Sequence, residues 1–424
     1  MIVAGTVRVP GDKSLTHRAL MFGALARGTS HVGGALTSLD AKSTARVLRQ
    51  LGAEVTALRP GATVEIQGRG RFRPPAGRLH CGNSGTTTRL LLGMLAGHRF
   101  RAELTGDGSL RRRPMRRVTV PLTQMGARFR ELAGRDGLPL EVRGGALRPL
   151  RYEMPVSSAQ IKSSLLLAGV VGGVEVDVRE PHGRSRDHTE RLLRAFGYVV
   201  EDRDGWIHFA PSGRIEPFDM QVPGDPSSAA FLVGAAVLAE RGELRIAGVG
   251  LNPTRTGFLN VLARMGAHVA VDNPADHFDE PVGDLVVGPA ALRATEVPAG
   301  EIPGLIDEIP MLAVLAARAR GRTTFRQVGE LRVKESDRLG LIAENLRAVG
   351  ARAEVAGDDL VVEGGAAPPV GRVRTAGDHR LAMAFAVLGT LPGARVRVDD
   401  MACAAVSFPA FPETLRAIGR RGRG

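Results

Sequence analysis

"LRQLGAEV", residues 48–55, returns along the chain as "LTQMGARF" (122–129), "LRAFGYVV" (193–200), "LARMGAHV" (262–269) and "LRAVGARA" (346–353), and in a frayed form as "LRAIGRR" from residue 415. The glycines Gly52, Gly126, Gly197, Gly266, Gly350 and Gly419 lie 69 to 84 residues apart, so the 424-residue chain reads as six copies of one unit. Each copy has the letters of an amphipathic helix, a glycine suited to a left-handed C-cap, and a strand. In the first copy, "GTVRVP", a helix from Ser14, "SHVGGAL", a helix from about Asp40, "EVTALR" and "TVEIQG" spell strand, helix, strand, helix, strand, strand. Leu15, Ala19, Phe22 and Ala26 recur at helical spacing within it. One such unit is too small to be stable alone, which predicts several units packed around shared buried helices.

Six copies divide three and three. "VPGD" occurs at 9–12 and again at 222–225, each time just before a first helix, and marks the junction. The expectation is an α/β protein of two domains, residues 1–11 with 224–424 and residues 12–223, three units in each, with a ligand site in the cleft where they hinge.

Composition narrows the function. Hydrophobic content of 43% and charged content of 24% are those of a globular protein. The first residues carry no basic leader before an apolar core and no apolar run is long enough for a bilayer, so a cytoplasmic protein that needs no membrane is expected. Cys81 and Cys403 alone exclude a multi-cysteine metal site, and no HExxH, GxSxG or GxxxxGK[ST] motif occurs, so neither metal nor cofactor is expected. The net charge of +13 would suit nucleic acid, but aromatics are only 4% and the cations are spread along the whole chain, so no nucleic-acid partner is expected. Of 57 basic residues only Lys13, Lys42, Lys162 and Lys334 are lysine. An ammonium can titrate where a guanidinium cannot, so these four are candidates for chemistry.

Aligned copies put the unusual residues at helix starts: "GDKSLTHR" (11–18), "GNSGTTTR" (82–89), "SSAQIKS" (157–163), "GDPSSAA" (224–230), "LIDEIPM" (305–311) and "GDHRLAM" (377–383), with "LRRRPMRR" (110–117), "SRDHTER" (185–191) and "RVKESDR" (332–338) at second helices. Helix starts attract anions through unpaired N–H groups and the dipole. Ser, Asp and Asn there are also ordinary caps. Capping does not require Lys13, Arg18, Arg89, Arg113, Lys334, Arg338 and Arg380 beside them, and the set predicts a polyanionic ligand. Asp307, in the apolar run "GLIDEIPMLAVLAA", and Glu335 are the acid–base candidates.

These motifs, with "NPTRTG" (252–257) and in this order, resemble the 5-enolpyruvylshikimate-3-phosphate synthase family from end to end. The resemblance implies a two-domain inside-out α/β barrel of six βαβαββ repeats with buried helices. It implies a monomer that joins phosphoenolpyruvate to shikimate 3-phosphate and releases phosphate. Carried over by position, Lys13, Ser14, Arg18, Ser158, Gln160, Arg186, Asp307 and Lys334 would bind shikimate 3-phosphate. Lys13, Gly85, Arg113, Gln160, Arg338 and Arg380 would bind phosphoenolpyruvate, and Lys13, Asp307 and Glu335 would move protons. Val406, where many members carry Lys, and Leu90, where the other branch carries Pro, depart from one branch of the family. Gly85 leaves room for glyphosate as an inhibitor, so sensitivity stays open. The UDP-N-acetylglucosamine enolpyruvyl transferases share the fold, but the place of their cysteine is taken by Gly108. RNA-3'-phosphate-cyclase-like proteins would need a C-terminal nucleotide-accepting His, whereas His379 lies in "GDHR".

Overall fold

The computed structural model describes residues 1–134, 136–181 and 183–420, so Arg421 of the frayed sixth copy lies outside the described residues. The chain forms two compact units. One contains Gly11–Val222 with Asp276–Glu280; the other contains Met1–Pro10, Pro223–Ala275 and the chain from Pro281 onward.

Within the first unit the copies build three four-stranded sheets of one topology. In the sheet Leu79–His80, Arg101–Thr105, Leu140–Arg143, Arg128–Glu131, the first two strands are parallel and the others antiparallel. Parallel neighbours need a crossover, which the buried first helix Gly85–Ala96 supplies. Leu150–Glu153, Val176–Arg179, Trp206–Ala210 and Val199–Arg203 repeat the order around the helix Ala159–Gly172.

The remaining sheets expose the meaning of the duplicated tetrapeptide. Strand Ile2–Val7 precedes the helix Lys13–Leu25 in the chain, yet it pairs in parallel with Arg241–Gly250, which follows the helix Pro226–Val237. Conversely, Asp219–Gln221 precedes Pro226–Val237 but pairs with Arg27–Gly33, which follows Lys13–Leu25. The two copies thus exchange their first strands, and each "VPGD" follows an exchanged strand.

In the second unit, Glu296–Val297, Arg322–Phe325, Asp359–Glu363 and Arg352–Ala356 form a complete fifth copy. Among the described residues the sixth copy differs from the other five. Among the described residues its sheet is the parallel pair Val370–Val373 and Arg395–Val398. In place of the final hairpin the chain runs through the 3-10 turn Ala402–Val406 and the helix Phe411–Ile418, and then Gly419–Arg420 pairs with Ile2–Val3. The cap glycines divide accordingly. Gly52, Gly126, Gly197, Gly266 and Gly350 adopt φ of +80 to +115°, where a side chain would be strained. Gly419 has φ −93° because it enters a strand.

First helices form the cores. Every residue of Ile309–Ala316 is buried, as are all but the first residue of Pro226–Val237, and helices apolar on all sides belong inside. Second helices are amphipathic; Leu39–Gln50 buries Ala41, Ser43, Thr44, Ala45, Val47 and Leu48. Gly93 allows the helices Gly85–Ala96 and Ala159–Gly172 to touch, since a Cβ there would lie 2.0 Å from the Ser164 carbonyl oxygen. No helix among the described residues is long and apolar enough to cross a membrane.

Candidate active site

In the unit built on Gly11–Val222, three first-helix starts carry the predicted residues. Asp12 Oδ1 accepts from the Leu15 N–H at 2.8 Å and Ser84 Oγ from the Thr87 N–H at 3.1 Å, whereas Ser158 makes no capping bond. Lys13 follows the first cap and its Nζ lies 3.4 Å from Asp40 Oδ2. Arg18, one turn into the helix, is 3% exposed. Its Nε donates to Thr189 Oγ1 at 2.7 Å, Nη2 to Ser163 Oγ at 2.7 Å and Nη1 to the Ser14 carbonyl at 3.0 Å. None of these partners is charged. Burial pushes the Arg18 pKa down to about 10; Glu190, Asp12 and Glu280 oppose this from a distance, while Arg186 adds to it. Arg186 is thereby in the same electrostatic neighbourhood, on the loop before the helix His188–Ala195.

A second cluster gathers at Gly85. A Cβ on Gly85 would lie 3.1 Å from Arg89 Nη1 and 3.3 Å from Arg113 Nη1, a tight approach that brings both guanidiniums against the helix start. Arg89 donates to Gln160 Oε1 at 2.5 Å and to the Pro114 carbonyl at 3.1 Å, and Gln160 Nε2 donates to Thr86 Oγ1 at 3.0 Å. Arg113 Nη2 donates to Asn83 Oδ1 at 2.7 Å, while its buried Nε has no hydrogen-bond partner among the described residues. A buried relay links the two clusters: His17 Nδ1 and Thr44 Oγ1 at 2.7 Å, Thr44 and Thr87 at 2.6 Å, and Thr87 donating to Ser84 at 2.7 Å.

The other unit carries Asp307, Lys334, Glu335, Arg338 and Arg380, arranged differently. Arg338 has no exposed side-chain surface. Its Nε lies 2.8 Å from Asp378 Oδ2, Nη2 2.6 Å from Glu335 Oε2 and Nη1 3.5 Å from Asp307 Oδ1. Arg380 Nη2 is 3.6 Å from Asp307 Oδ2, and its Nη1 donates to the Asp307 carbonyl. Burial opposes the charge of Arg338, but Asp378, Glu335 and Asp307 together raise its pKa. Asp378 is buried too, and Arg338 nevertheless holds it below the usual carboxylate range. Every nitrogen of the Arg338 guanidinium, which the resemblance gives to phosphoenolpyruvate, faces a carboxylate. Lys334 is partly buried at the end of the 3-10 turn Gly329–Val333.

Two of the four lysines lie elsewhere. Lys42 is exposed on the helix Leu39–Gln50, and Lys162 is enclosed by Glu180 and Glu190. The second "VPGD" turns inward: Asp225 Oδ1 accepts from Ser227 N at 2.8 Å and from Arg255 Nη2 at 3.0 Å, and Ser227 bonds Glu308. Val406 is partly buried in its 3-10 turn and Leu90 is fully buried. Asp378, Asn83 and Thr189 were not singled out from sequence. Asp378 stands in "GDHR", but a cap at the start of a helix gives no sign that an arginine forty residues earlier reaches it.

Comparison with known proteins agrees over the full length. The model of a family described as EPSP synthase (3-phosphoshikimate 1-carboxyvinyltransferase) matches residues 2–415. A 3-phosphoshikimate 1-carboxyvinyltransferase of Geobacillus kaustophilus is 45% identical over 418 residues, covering 98% of this chain and 97% of the relative. The solved EPSP synthase of Acinetobacter baumannii superimposes with a TM-score of 0.88 at 38% identity, covering 99% and 96% of the two chains. The enolpyruvyl transferase NikO of Streptomyces tendae, 21% identical with a TM-score of 0.78 over 99% and 95%, shares the fold.

Proposed function

The chain belongs to the EPSP synthase (3-phosphoshikimate 1-carboxyvinyltransferase) family, and on that premise we propose that the two sets of residues just described serve one reaction. That reaction is transfer of the enolpyruvyl group of phosphoenolpyruvate to shikimate 3-phosphate. The 5-hydroxyl oxygen bonds to the central carbon of phosphoenolpyruvate while the methylene carbon takes a proton. The adduct then loses a methyl proton and expels phosphate. Two phosphates and two carboxylates bring a charge of about −5 to −6, so the protein must present cations that its own carboxylates have not neutralised.

The observation that carries the reading is Arg18, a buried guanidinium held among the described residues by two hydroxyls and a carbonyl. Such a cation is costly to bury unless an anion arrives to match it. Lys13, Ser14, Arg18, Ser158, Gln160 and Arg186 are assigned to shikimate 3-phosphate, with Asp307 and Lys334 on its ring hydroxyls. Lys13, Gly85, Arg113, Gln160, Arg338 and Arg380 are assigned to phosphoenolpyruvate, whose carboxylate and phosphate suit guanidinium forks. Asp307 accepts the hydroxyl proton. Glu335 and Lys13 deliver and later remove the proton at the methylene carbon, which needs groups able to work in both directions.

Phosphate release from phosphoenolpyruvate should require shikimate 3-phosphate. Glu335→Gln should lower kcat by about 100-fold or more with a much smaller change in either KM, as loss of a proton-transfer group does. Release without the second substrate would exclude the reaction; an unchanged kcat would remove Glu335 from the proton path.

A further inference from the structure

Lys162 is the buried lysine that the reaction leaves unused. Its side chain is 0% exposed, and its Nζ stands 2.8 Å from Glu190 Oε1, 3.0 Å from Glu180 Oε2 and 3.2 Å from the Ser185 carbonyl oxygen. Three acceptors lie within reach of one nitrogen, which matches in number the three N–H bonds of an ammonium. In a chain with so few lysines, that geometry accounts for this one.

The contacts lead to the phosphate grip. Glu180 Oε2 also accepts from the Ser185 N–H at 3.1 Å, so both backbone polar groups of Ser185 are clamped by the Lys162–Glu180 pair. The next residue is Arg186. On the other side, Glu190 follows Thr189 and Lys162 precedes Ser163, and Thr189 and Ser163 bond each other at 2.7 Å while both receive Arg18. A layer of hydroxyls holding Arg18 therefore rests on a layer of charge joining the helix Ala159–Gly172 to the helix His188–Ala195. Among the described residues Glu180 Oε1, Glu190 Oε2 and Ser185 Oγ are buried with no hydrogen-bond partner, and the ammonium is the cation placed against both carboxylates.

We propose that Lys162 is a positioning residue for shikimate 3-phosphate: it fixes the loop that presents Arg186 and the hydroxyl pair that orients Arg18. The inference rests on the reading of Arg18 and Arg186 as ligands of that substrate. Deleting the ammonium alone would strand two buried carboxylates and unfold the region for trivial reasons. The decisive protein is therefore the uncharged triple variant Lys162→Met, Glu180→Gln, Glu190→Gln, accompanied by Glu180→Gln, which loosens only the hold on Ser185.

With thermal unfolding as a check, the triple variant should raise KM for shikimate 3-phosphate about tenfold, leave KM for phosphoenolpyruvate within about twofold, and change kcat little, as misplacement of one clamp does. Glu180→Gln should raise the first KM roughly threefold. A triple variant that melts like the parent and keeps its KM for shikimate 3-phosphate overturns the proposal. If the triple variant does not fold, an unchanged KM in Glu180→Gln overturns it instead. Arg18→Met and Arg186→Met are the controls: should they leave that KM unchanged, the substrate assignment is wrong, whereas their failure to bind beside an intact triple variant condemns the clamp alone.

Discussion

The candidate-site arginines Arg18, Arg89 and Arg113 of one unit and Arg338 and Arg380 of the other meet different partners. In the unit of Gly11–Val222, Arg18 is bonded to Thr189, Ser163 and the Ser14 carbonyl, Arg113 to the Asn83 amide, and Arg89 to Gln160 and a carbonyl. In the other unit Arg338 faces Asp378, Glu335 and Asp307, Arg380 faces Asp307, and Arg255 faces Asp225. Neutral partners orient a guanidinium and leave its charge to act on a ligand; carboxylates hold it in place and cancel that charge. We propose that the difference divides the work unevenly: the neutrally partnered guanidiniums supply most of the uncancelled charge, while Arg338 and Arg380 meet phosphoenolpyruvate already held beside the acid–base candidates Asp307 and Glu335.

The largest expected effect tests this contrast through stability. Arg338→Met removes the guanidinium shared by three carboxylates, of which Asp378 is fully buried against it, and should destabilise the protein by about 3–5 kcal/mol in urea unfolding. Arg18→Met removes a buried cation whose pKa is lowered to about 10, so at neutral pH it also removes a desolvation cost. Two hydroxyls lose a partner in exchange, and the net change should stay within about 1 kcal/mol of the parent, while KM for shikimate 3-phosphate rises by roughly 100-fold. Equal destabilisation by the two variants would break the comparison.

A smaller effect appears in acid. Burial, helped by Lys13 and Arg18 and opposed by Asp40, lowers the His17 pKa from 6.5 to about 4. Between those values the unfolded chain takes up a proton that the folded chain refuses. His17 therefore contributes no penalty above pH 6.5, and stability is lost as pH falls from 6.5 towards about 4. At pH 5 the loss is about 2 kcal/mol. In His17→Gln, the drop in unfolding free energy from pH 7 to pH 5 should be smaller by about that amount. An identical drop in parent and variant would show that the pocket around His17 accepts a proton, contrary to the burial that lowers its pKa.

How much of this was legible in sequence follows from the range of each interaction. The cap glycines are local, and five of the six adopt the backbone their letters demand; Gly419 does not, because its fate depends on pairing with Ile2–Val3 at the other end of the chain. Sequence alone returns residues 1–11 to the half that holds 224–424, with "VPGD" as its marker, but the reciprocal pairing of Asp219–Gln221 with Arg27–Gly33 is not legible there. Asp12, Asp225 and Asp378 read alike as caps, and each does accept from a helix N–H. Asp225 and Asp378 have a second task because an arginine from elsewhere in the unit reaches them. The scarcity of lysine identified four candidates but carried no information on depth, so it ranked buried Lys162 and exposed Lys42 with Lys13.

The smallest and most pointed test converts one condition into the other. Asn83→Asp places a carboxylate oxygen where Arg113 now meets an amide oxygen at 2.7 Å, giving Arg113 the kind of partner that Arg338 has. Asn83 is exposed, so the new pair should add no more than about 1 kcal/mol to stability. Phosphoenolpyruvate must then compete with an internal anion, and its KM should rise about tenfold, equivalent to about 1.4 kcal/mol, with kcat little changed. Asn83→Ala removes the orienting bond but leaves the charge available, and should raise KM only about threefold. The order of the two variants carries the argument: Asp worse than Ala means that uncancelled charge binds the substrate, whereas Ala worse than Asp means that the neutral partners merely aim the guanidinium, and the contrast between the units would lose its functional meaning.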